Sequence, residues 1–459
     1  IILAIIQFIL SVVLAVNVIL FNVLTSTYFL VLIGVLLILL GITLLTQIAA
    51  KGKGIGGKIF CILICIILGV GSFYIGKVNN AFQKITGSNK KTSSMVVAVK
   101  ADDNADTLSA AAGYTFGVQY ATGGDQTKSA VKQIEKELGQ NITLQEYSNL
   151  GEEAQALYDG EVDAIIYNSA YSNIIQEQYS TFTKDTKVIY KHNIVVEIES
   201  DTSDESVTKP FAVYLSGIDT DGDITEQGRS DVNIVAVVNP TSHQVLLITT
   251  PRDYYVPIPG VSGGQDDKLT HAGIYGVDVS MQTLEALYDT DIEFFGRVNF
   301  TSMISVVDAL GGLDVESDLE FDTGWESGAE IHVNEGMNHF DGISALAFCR
   351  ERQALPDGDN GRGVHQQAVI TAIIKKMMSP AMLRGASDII DSVSDGVDTN
   401  FTSSQIQSLI KTQLRTNAKW NIYSVAADGT GGTDICYSSG AEELYVTYPD
   451  ENSVAEIIE

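Results

Sequence analysis

The stretch RSDVNIVAVVNPTSHQVLLITTPRD (Arg229–Asp253) decides how the chain is read. Two apolar runs, Val232–Val238 and Gln244–Thr250, flank Asn239-Pro-Thr-Ser-His243, a segment rich in turn-forming residues. Both runs are almost continuous Val, Ile, Leu and Ala. That pattern predicts a hairpin whose strands are covered on both faces. GRSD stands at the entry of the first strand and TPRD at the exit of the second. In an antiparallel pair those ends are neighbours, so Arg229, Asp231, Arg252 and Asp253 are expected together at one rim of the sheet.

Outward from the hairpin, strand and helix patterns alternate. Strands are predicted at Phe211–Ser216, Phe294–Asn299 and, closing the domain, Trp420–Val425. Helices are predicted at Val277–Tyr288, Thr301–Leu310 (stopped by Gly311-Gly312), Val364–Met378 and Ser403–Leu414. This alternation makes residues 207–459 read as a mixed α/β sandwich. Residues 95–206 read as a smaller α/β accessory domain, with strands at Met95–Val99 and Ala164–Tyr167 and a helix at Thr127–Leu138. Its stretch Tyr158–Tyr167 resembles the helix-to-strand step of periplasmic solute-binding-like domains. It shows no catalytic group, and a spacer or docking role is expected, with ligand binding as the alternative. Ser200–Ser206 is an acidic hinge, and residues 77–94 read as a juxtamembrane linker.

Residues 1–76 contain no acidic residue and three apolar stretches, Ile1–Asn22, Tyr28–Ala49 and Ile59–Ile75. A helix crosses a bilayer with roughly 20 such residues, so three transmembrane helices are expected, too many for a cleaved signal peptide. The loop between the second and third carries Lys51, Lys53 and Lys58, and positive loops stay in the cytoplasm. The N-terminus is then inside and everything after about residue 76 outside. Lys77, Lys84, Lys90 and Lys91 run against this rule but suit a tether at the outer headgroups. The sequence opens without Met, and further N-terminal residues are expected. Cys61 and Cys65 fall within the third span and read as packing. Cys349 and Cys436 are the outer cysteines, and spacing alone leaves their pairing open.

The formal net charge is -29, yet all eight arginines follow position 228 and five lie in four short motifs: Arg229, Arg252, Arg350 with Arg352, and Arg362. The arginine fork matches phosphate or carboxylate oxygens two at a time, so these motifs suggest an anion site, with surface salt bridges as the alternative. If Ala345–Arg352 is extended, Arg350 and Arg352 share a face. Arg362 precedes a helix whose N-terminus favours an anion, and Gln366 lies one turn on. Arg297, Arg384 and Arg415 stand outside the motifs and are not assigned to the site. The chain outside the first 76 residues holds all 57 acids and no basic helix, which argues against nucleic acid as a partner.

The series Gly217-Ile-Asp219, Arg229-Ser-Asp231, Pro251-Arg252-Asp253, Lys268-Leu-Thr-His271-Ala272, Val307–Gly312, Ala345–Arg352 and Gly358–Arg362 with Gln366-Gln367 resembles the LytR–CpsA–Psr family in order and spacing over about residues 211–379. The three spans and accessory segment are similar to its capsule-type members. The resemblance implies an α/β/α sandwich with an apolar lipid tunnel, in a Gram-positive-type cell membrane with the C-terminal domains on the wall side. It implies a phosphotransferase. A peptidoglycan hydroxyl, typically the 6-hydroxyl of N-acetylmuramic acid, attacks a polyprenyl-pyrophosphate-linked glycopolymer of teichoic acid or capsular polysaccharide type. Membrane lipid is thus a further partner. By motif, Arg229, Arg252, Arg350, Arg352, Arg362 and Gln366 would grip the phosphates, with Lys268 at the rim or simply on the surface. Arg252, Arg350 and Arg352 would also serve catalysis. Asp219 and Asp231 would hold Mg²⁺, which favours carboxylate and phosphate oxygens. Asp359 is the candidate general base, or an arginine partner.

Asp253 reads as an ion-pair partner, and Asp308 and His271 as structural. His365 stands where the family often has a further basic residue, and implies either a weaker phosphate contact or an outward-facing ring. Phe348, where the family often has Tyr, preserves packing. Two alternatives remain: a pyrophosphatase or phosphatase acting on the lipid carrier, and a non-catalytic envelope sensor of lipid phosphates.

Overall fold

The computed structural model describes residues 2–22, 24, 26–49, 54–85, 90–197, 206–218, 224, 227–356, 358–377, 396–440 and 442–459. Three N-terminal helices, α1 (Ile2–Phe21), α2 (Ser26–Ala49) and α3 (Ile55–Ile85), are long and apolar enough to cross a membrane. Helix α3 runs to Ile85, and the first strand, β1 (Lys90–Lys100), starts five residues before the predicted start at Met95. Ordered structure thus takes up most of the predicted 77–94 linker. Polar Asn and Gln on the last turns hid the helix from a hydropathy reading, and β1 gains its early start by pairing with β5 (Thr186–Glu197) from Lys90 onward.

The accessory domain is a five-stranded sheet. Between β1 and β5 come β2 (Thr115–Gln119), α4 (Gly124–Leu138), β3 (Thr143–Tyr147), α5 (Leu150–Asp159), β4 (Ala164–Asn168), α6 (Ser172–Gln178) and α7 (Phe182–Asp185). The strand order is β3-β2-β4-β1-β5, with β2, β3 and β4 parallel. Parallel neighbours need crossovers, and α4 and α5 supply them. Asn149 caps α5 by accepting from Glu152 N at 2.8 Å, and Gly160, with φ +74°, ends it.

The second domain holds a six-stranded mixed sheet. Its centre is β6 (Phe211–Ile218), β7 (Ser230–Asn239) and β8 (Gln244–Thr249), all antiparallel. Short strands β9 (Tyr255–Pro257) and β10 (Asp266–Lys268) and helices α8 (Leu269–Tyr275) and α9 (Val277–Tyr288) follow. Next come β11 (Phe294–Asn299), parallel to β6, and α10 (Phe300–Ala309). Beyond it lie β12 (Leu313–Ser317), β13 (Phe321–Asp322), β14 (His332–Val333) and β15 (Gly336–Phe340), then α11 (Gly342–Arg350) and α12 (Asp359–Met377). Strand β16 (Val397–Thr399) and β17 (Asn421–Ala426) are the sheet's edges, giving the order β16-β11-β6-β7-β8-β17. A hairpin, β18 (Gly429–Ile435) with β19 (Glu443–Pro449), and a helix Glu451–Ile458 complete the domain.

Period-two alternation puts Ala212, Tyr214, Val235 and Ile248 on one face, packed with Leu269, Val277 and Leu284 of α8 and α9. Phe211, Val213, Ile234, Ala236, Val245 and Leu247 fill the other, against Ile370 and Ile374 of α12 and Leu409 of the helix Ser403–Thr416. This is the α/β/α sandwich that the continuous apolar runs require. The first two strands of the hairpin reading appear at Ser230–Asn239 and Gln244–Thr249.

One expectation fails. Ala345–Arg352 is not extended: α11 runs to Arg350, capped by Asp341, whose Oδ1 accepts from Ser344 N at 2.9 Å. Residues Ala345–Cys349 are all buried, so the run carries no alternation to separate helix from strand. Helix α12 also starts earlier than predicted, at Asp359, so Arg362 lies within its first turn rather than before it.

Arg297, outside the arginine motifs, pairs across β11 and β16 with Asp398, its Nε donating to Oδ2 at 3.1 Å, both side chains almost wholly buried. Removing one partner strands a buried charge. The Asp398→Ala chain in detergent is expected to unfold in urea with about 3–5 kcal/mol less stability, while Arg297→Met with Asp398→Leu recovers most of the loss.

Candidate active site

The site begins with strand register. Ile234 faces Thr249, and Thr250 N donates to Asn233 O at 2.9 Å, so the same pairing carried outward sets Asp231 opposite Arg252. Arg252 Nη1 donates to Asp231 Oδ1 at 2.8 Å. Thr270 Oγ1 reaches the same oxygen at 3.3 Å. Burial pushes the Asp231 carboxyl up, but Arg252, Arg229 and Arg362 outweigh it and hold its pKa below the usual carboxylate range. Beneath, Tyr214 hydroxyl bonds Ser230 Oγ and donates to Asn233 Oδ1, both at 2.7 Å, fixing the start of β7 beside Arg229. Helix α8 closes on this strand at Gly273. A Cβ there would meet Gly228 O at 2.7 Å, so the contact requires glycine.

Asp231, Arg252, Arg362 and Gln366 share a small recess between the ends of β7 and β8 and the first turns of α12. The recess adjoins a cavity of about 940 Å³. The body of that cavity is apolar, walled by the Phe211, Val213 and Val245 face of the sheet, by α12 and by the helix Ser403–Thr416. At its polar end stand Arg229, Arg252, Arg350, Arg352 and Arg362. The structure therefore brings all five motif arginines and Gln366 to one place, although two arrive by helix and loop rather than by strand. Arg350 is the last residue of α11 and Arg352 follows in an exposed loop.

That loop is set by Glu351, a residue the sequence reading passed over. Its Oε1 accepts from Arg352 N (2.9 Å), Gln353 N (2.7 Å) and Ala354 N (2.9 Å). Its Oε2 accepts from Gly324 N (2.7 Å) and Ser327 Oγ (2.8 Å). Burial opposes the charge, but these donors hold the carboxyl below its ordinary range. Glu351 staples the arginine loop to the 324–327 turn, which also lines the cavity.

Other expectations divide. Lys268 is neither on the surface nor in the cavity lining: it is buried, with Nζ 3.7 Å from Asp253 Oδ1 and 3.6 Å from Glu177 Oε2. Asp253 also lies 3.5 Å from Arg252 Nε, an ion-pair partner as expected. Asp308 is structural, accepting from Gly342 N at 2.8 Å. His365 does not face outward. It is buried, stacked on Phe348 at 3.9 Å and Phe321 at 5.3 Å, and burial lowers its pKa, leaving it neutral at pH 7. Cys349 and Cys436 are separate thiols, each pushed up to about 12 by burial. Asp359 opens α12, but its side chain falls outside the described residues, as do Asp219 and Arg384 altogether.

Residues 165–454 match the model of the LytR_cpsA_psr family. The chain belongs to the LytR–CpsA–Psr family. A Bacillus cereus relative named polyisoprenyl-teichoic acid–peptidoglycan teichoic acid transferase TagU is 33% identical over 253 residues, covering 55% of this chain and 77% of that protein. An Enterococcus faecalis protein of the same name is 36% identical over 203 residues, 44% and 65% of the two chains. The crystal structure of Bacillus subtilis TagV is 26% identical, covering 55% of this chain and 95% of that one, with a TM-score of 0.47.

A second residue that sequence reasoning missed comes from the other domain. Glu177 of α6 lies 3.3 Å from Arg229 Nη1 and 3.7 Å from His271 Nε2. Burial would raise its carboxyl, but His271, Lys268 and Arg229 hold it down at about 2. His271, wholly buried, also bonds Asp267 Oδ1 at 2.7 Å and Ser438 Oγ at 2.9 Å. Burial alone would lower its pKa, whereas Asp267 and Glu177 raise it to about 9. A group raised above its unfolded value near 6.5 stabilises fully below that pH and less as pH climbs through about 9. Urea unfolding of the full chain in detergent is therefore expected to lose about 1–3 kcal/mol between pH 6.5 and 9.5. The His271→Asn chain is expected to lack that decline.

Proposed function

We propose that the chain is a phosphotransferase of the outer membrane face that joins a polyprenyl-pyrophosphate-linked glycopolymer to peptidoglycan through a phosphodiester. The observation that carries this reading is one cavity of about 940 Å³ with an apolar body and five arginines at one end. That volume is at the top of the range of roughly 300–1,000 Å³ for small-molecule pockets, and its two halves suit a ligand with a long hydrocarbon and a polyanionic head. The names of the Bacillus and Enterococcus relatives, teichoic acid transferases, support the same class of donor and acceptor.

Membrane geometry supports access. The helix Ser403–Thr416, which walls the cavity, touches the turn after α1 through Lys411 Nζ and Asn22 Oδ1 at 2.7 Å. With the basic loop 51–58 inside, that turn is on the outer side, the side where a lipid-linked polymer meets the wall.

The chemistry asks the protein mainly to position and to neutralise. Arg229, Arg252, Arg350, Arg352 and Arg362 bind the phosphoryl oxygens, and Gln366 adds an amide donor. The acceptor hydroxyl attacks the phosphorus bearing the sugar, the bond from that phosphorus to the bridging oxygen breaks, and polyprenyl phosphate leaves. Asp359, three residues before Arg362, is the candidate to take the hydroxyl proton. The apolar walls keep bulk water from competing as nucleophile.

Among the described residues, no group of three or more metal-binding side chains occurs. Mg²⁺ nevertheless fits the donor chemistry, because it is commonly held by one or two carboxylates plus substrate phosphates. Among the described residues both hydrogen bonds of Asp231 fall on Oδ1, and Asp219 follows β6 in the sequence, so these two are the proposed ligands. When bound, the ion would neutralise pyrophosphate charge.

Arg352→Ala is expected to lower transfer of a lipid-pyrophosphate donor to peptidoglycan about 10²–10³-fold, the scale for losing one charge-stabilising donor, with folding intact because its side chain is exposed. Chelation with EDTA is expected to stop transfer and added Mg²⁺ to restore it. Wild-type chain that neither transfers polymer nor releases polyprenyl phosphate would remove the enzyme reading, and release without transfer would make it a hydrolase.

A further inference from the structure

Helix α6 places a carboxylate where its own domain gives it no support. Glu177 is in the last turn of α6, the end at which the helix dipole disfavours negative charge. Every ion-pair partner it has among the described residues belongs to the other domain: Arg229 at 3.3 Å, Lys268 at 3.6 Å and His271 at 3.7 Å. From there the charges continue inward. Lys268 reaches Asp253 at 3.7 Å, Asp253 reaches Arg252 at 3.5 Å, and Arg252 holds Asp231 at 2.8 Å.

The two domains are not merely tethered at this point. Ile174, Ile175 and Tyr171 of the accessory domain share one buried cluster with Ala272, Ile274 and Tyr275 of α8. Next to Glu177, Gln178 Nε2 donates to Ser439 O at 2.6 Å. On the other side of the interface, Asn168 Nδ2 and Ser93 Oγ both donate to Gln227 Oε1, at 3.1 and 2.5 Å, two residues before Arg229. A shared apolar core with hydrogen bonds on both flanks fixes the carboxylate relative to the arginine. It does not resemble a latch that swings away.

We infer that Glu177 is a positioning residue of the phosphate site, supplied by the accessory domain to orient Arg229, so that the anion-binding end of the cavity is built from both domains. The inference rests on the phosphotransferase reading above. Opposed effects meet here. Deleting a carboxylate near an anion site favours anion binding by Coulomb attraction, while removing one contact of a partly buried arginine fork loosens its alignment. Alignment wins because the fork must meet phosphate oxygens in a fixed geometry, whereas charge alone is supplied redundantly by four other arginines.

The test measures binding of undecaprenyl pyrophosphate to the full chain in detergent by calorimetry. Glu177→Ala is expected to weaken binding about tenfold. Glu177→Gln, which keeps an oxygen to accept from Arg229, is expected to recover most of that. In an Arg229→Ala background, Glu177→Ala is expected to have no further effect, a coupling that a purely structural role would not produce. Equal binding by wild type and Glu177→Ala, or the same fold-loss with and without Arg229, overturns the inference alone. Wild-type chain that does not bind the probe overturns the functional reading, and this inference with it.

Discussion

Asp231 and Arg252 are held opposite each other by the register of β7 and β8, and the rest of the site is arranged around that pair. Five guanidinium groups at one end of a cavity repel one another unless carboxylates are interleaved. Asp231, Asp253 and Glu177 do this directly, and Glu351 sets the loop that carries Arg352. Asp231 and Asp253 neutralise from the hairpin ends, Glu351 binds backbone and shapes a loop, and Glu177 arrives from another domain. Each carboxylate whose pKa is shifted here is held in the charged form, so the site keeps its balance across the neutral range.

The same sheet that fixes these charges also makes the apolar chamber. Both faces must be covered, since residues of both pleats are Val, Ile, Leu and aromatic. On one face α8 and α9 pack directly. On the other, α12 and the helix Ser403–Thr416 enclose the cavity, and α12 begins at its charged end, so a single helix serves lipid wall and phosphate grip together.

Much of this was legible in the sequence because it is local or periodic. The β7–β8 hairpin, α9 and β11 lie where alternation and turn chemistry put them, and the hairpin argument correctly joined Asp231 to Arg252. What escaped was set by tertiary contact. The run Ala345–Cys349 is buried all round, so nothing in its pattern distinguishes α11 from a strand. His365 packs on two phenylalanines that are 17 and 44 positions away, which no local reading reveals. Glu177 stands in an unremarkable polar segment, Gln176-Glu177-Gln178, 52 residues from Arg229. The one faint signal was a carboxylate in the last turn of a helix.

The central claim is that the cavity holds a lipid whose head is a phosphate or pyrophosphate. Native mass spectrometry of the full chain, released gently from the membranes of a cell that makes polyprenyl-linked polymers, tests it most directly. The account predicts a bound polyprenyl phosphate or pyrophosphate, with or without sugar, whose occupancy drops when Arg252 and Arg362 are both replaced by alanine. Chain that carries no lipid, or only lipids without phosphate, or the same occupancy after that double replacement, would contradict it.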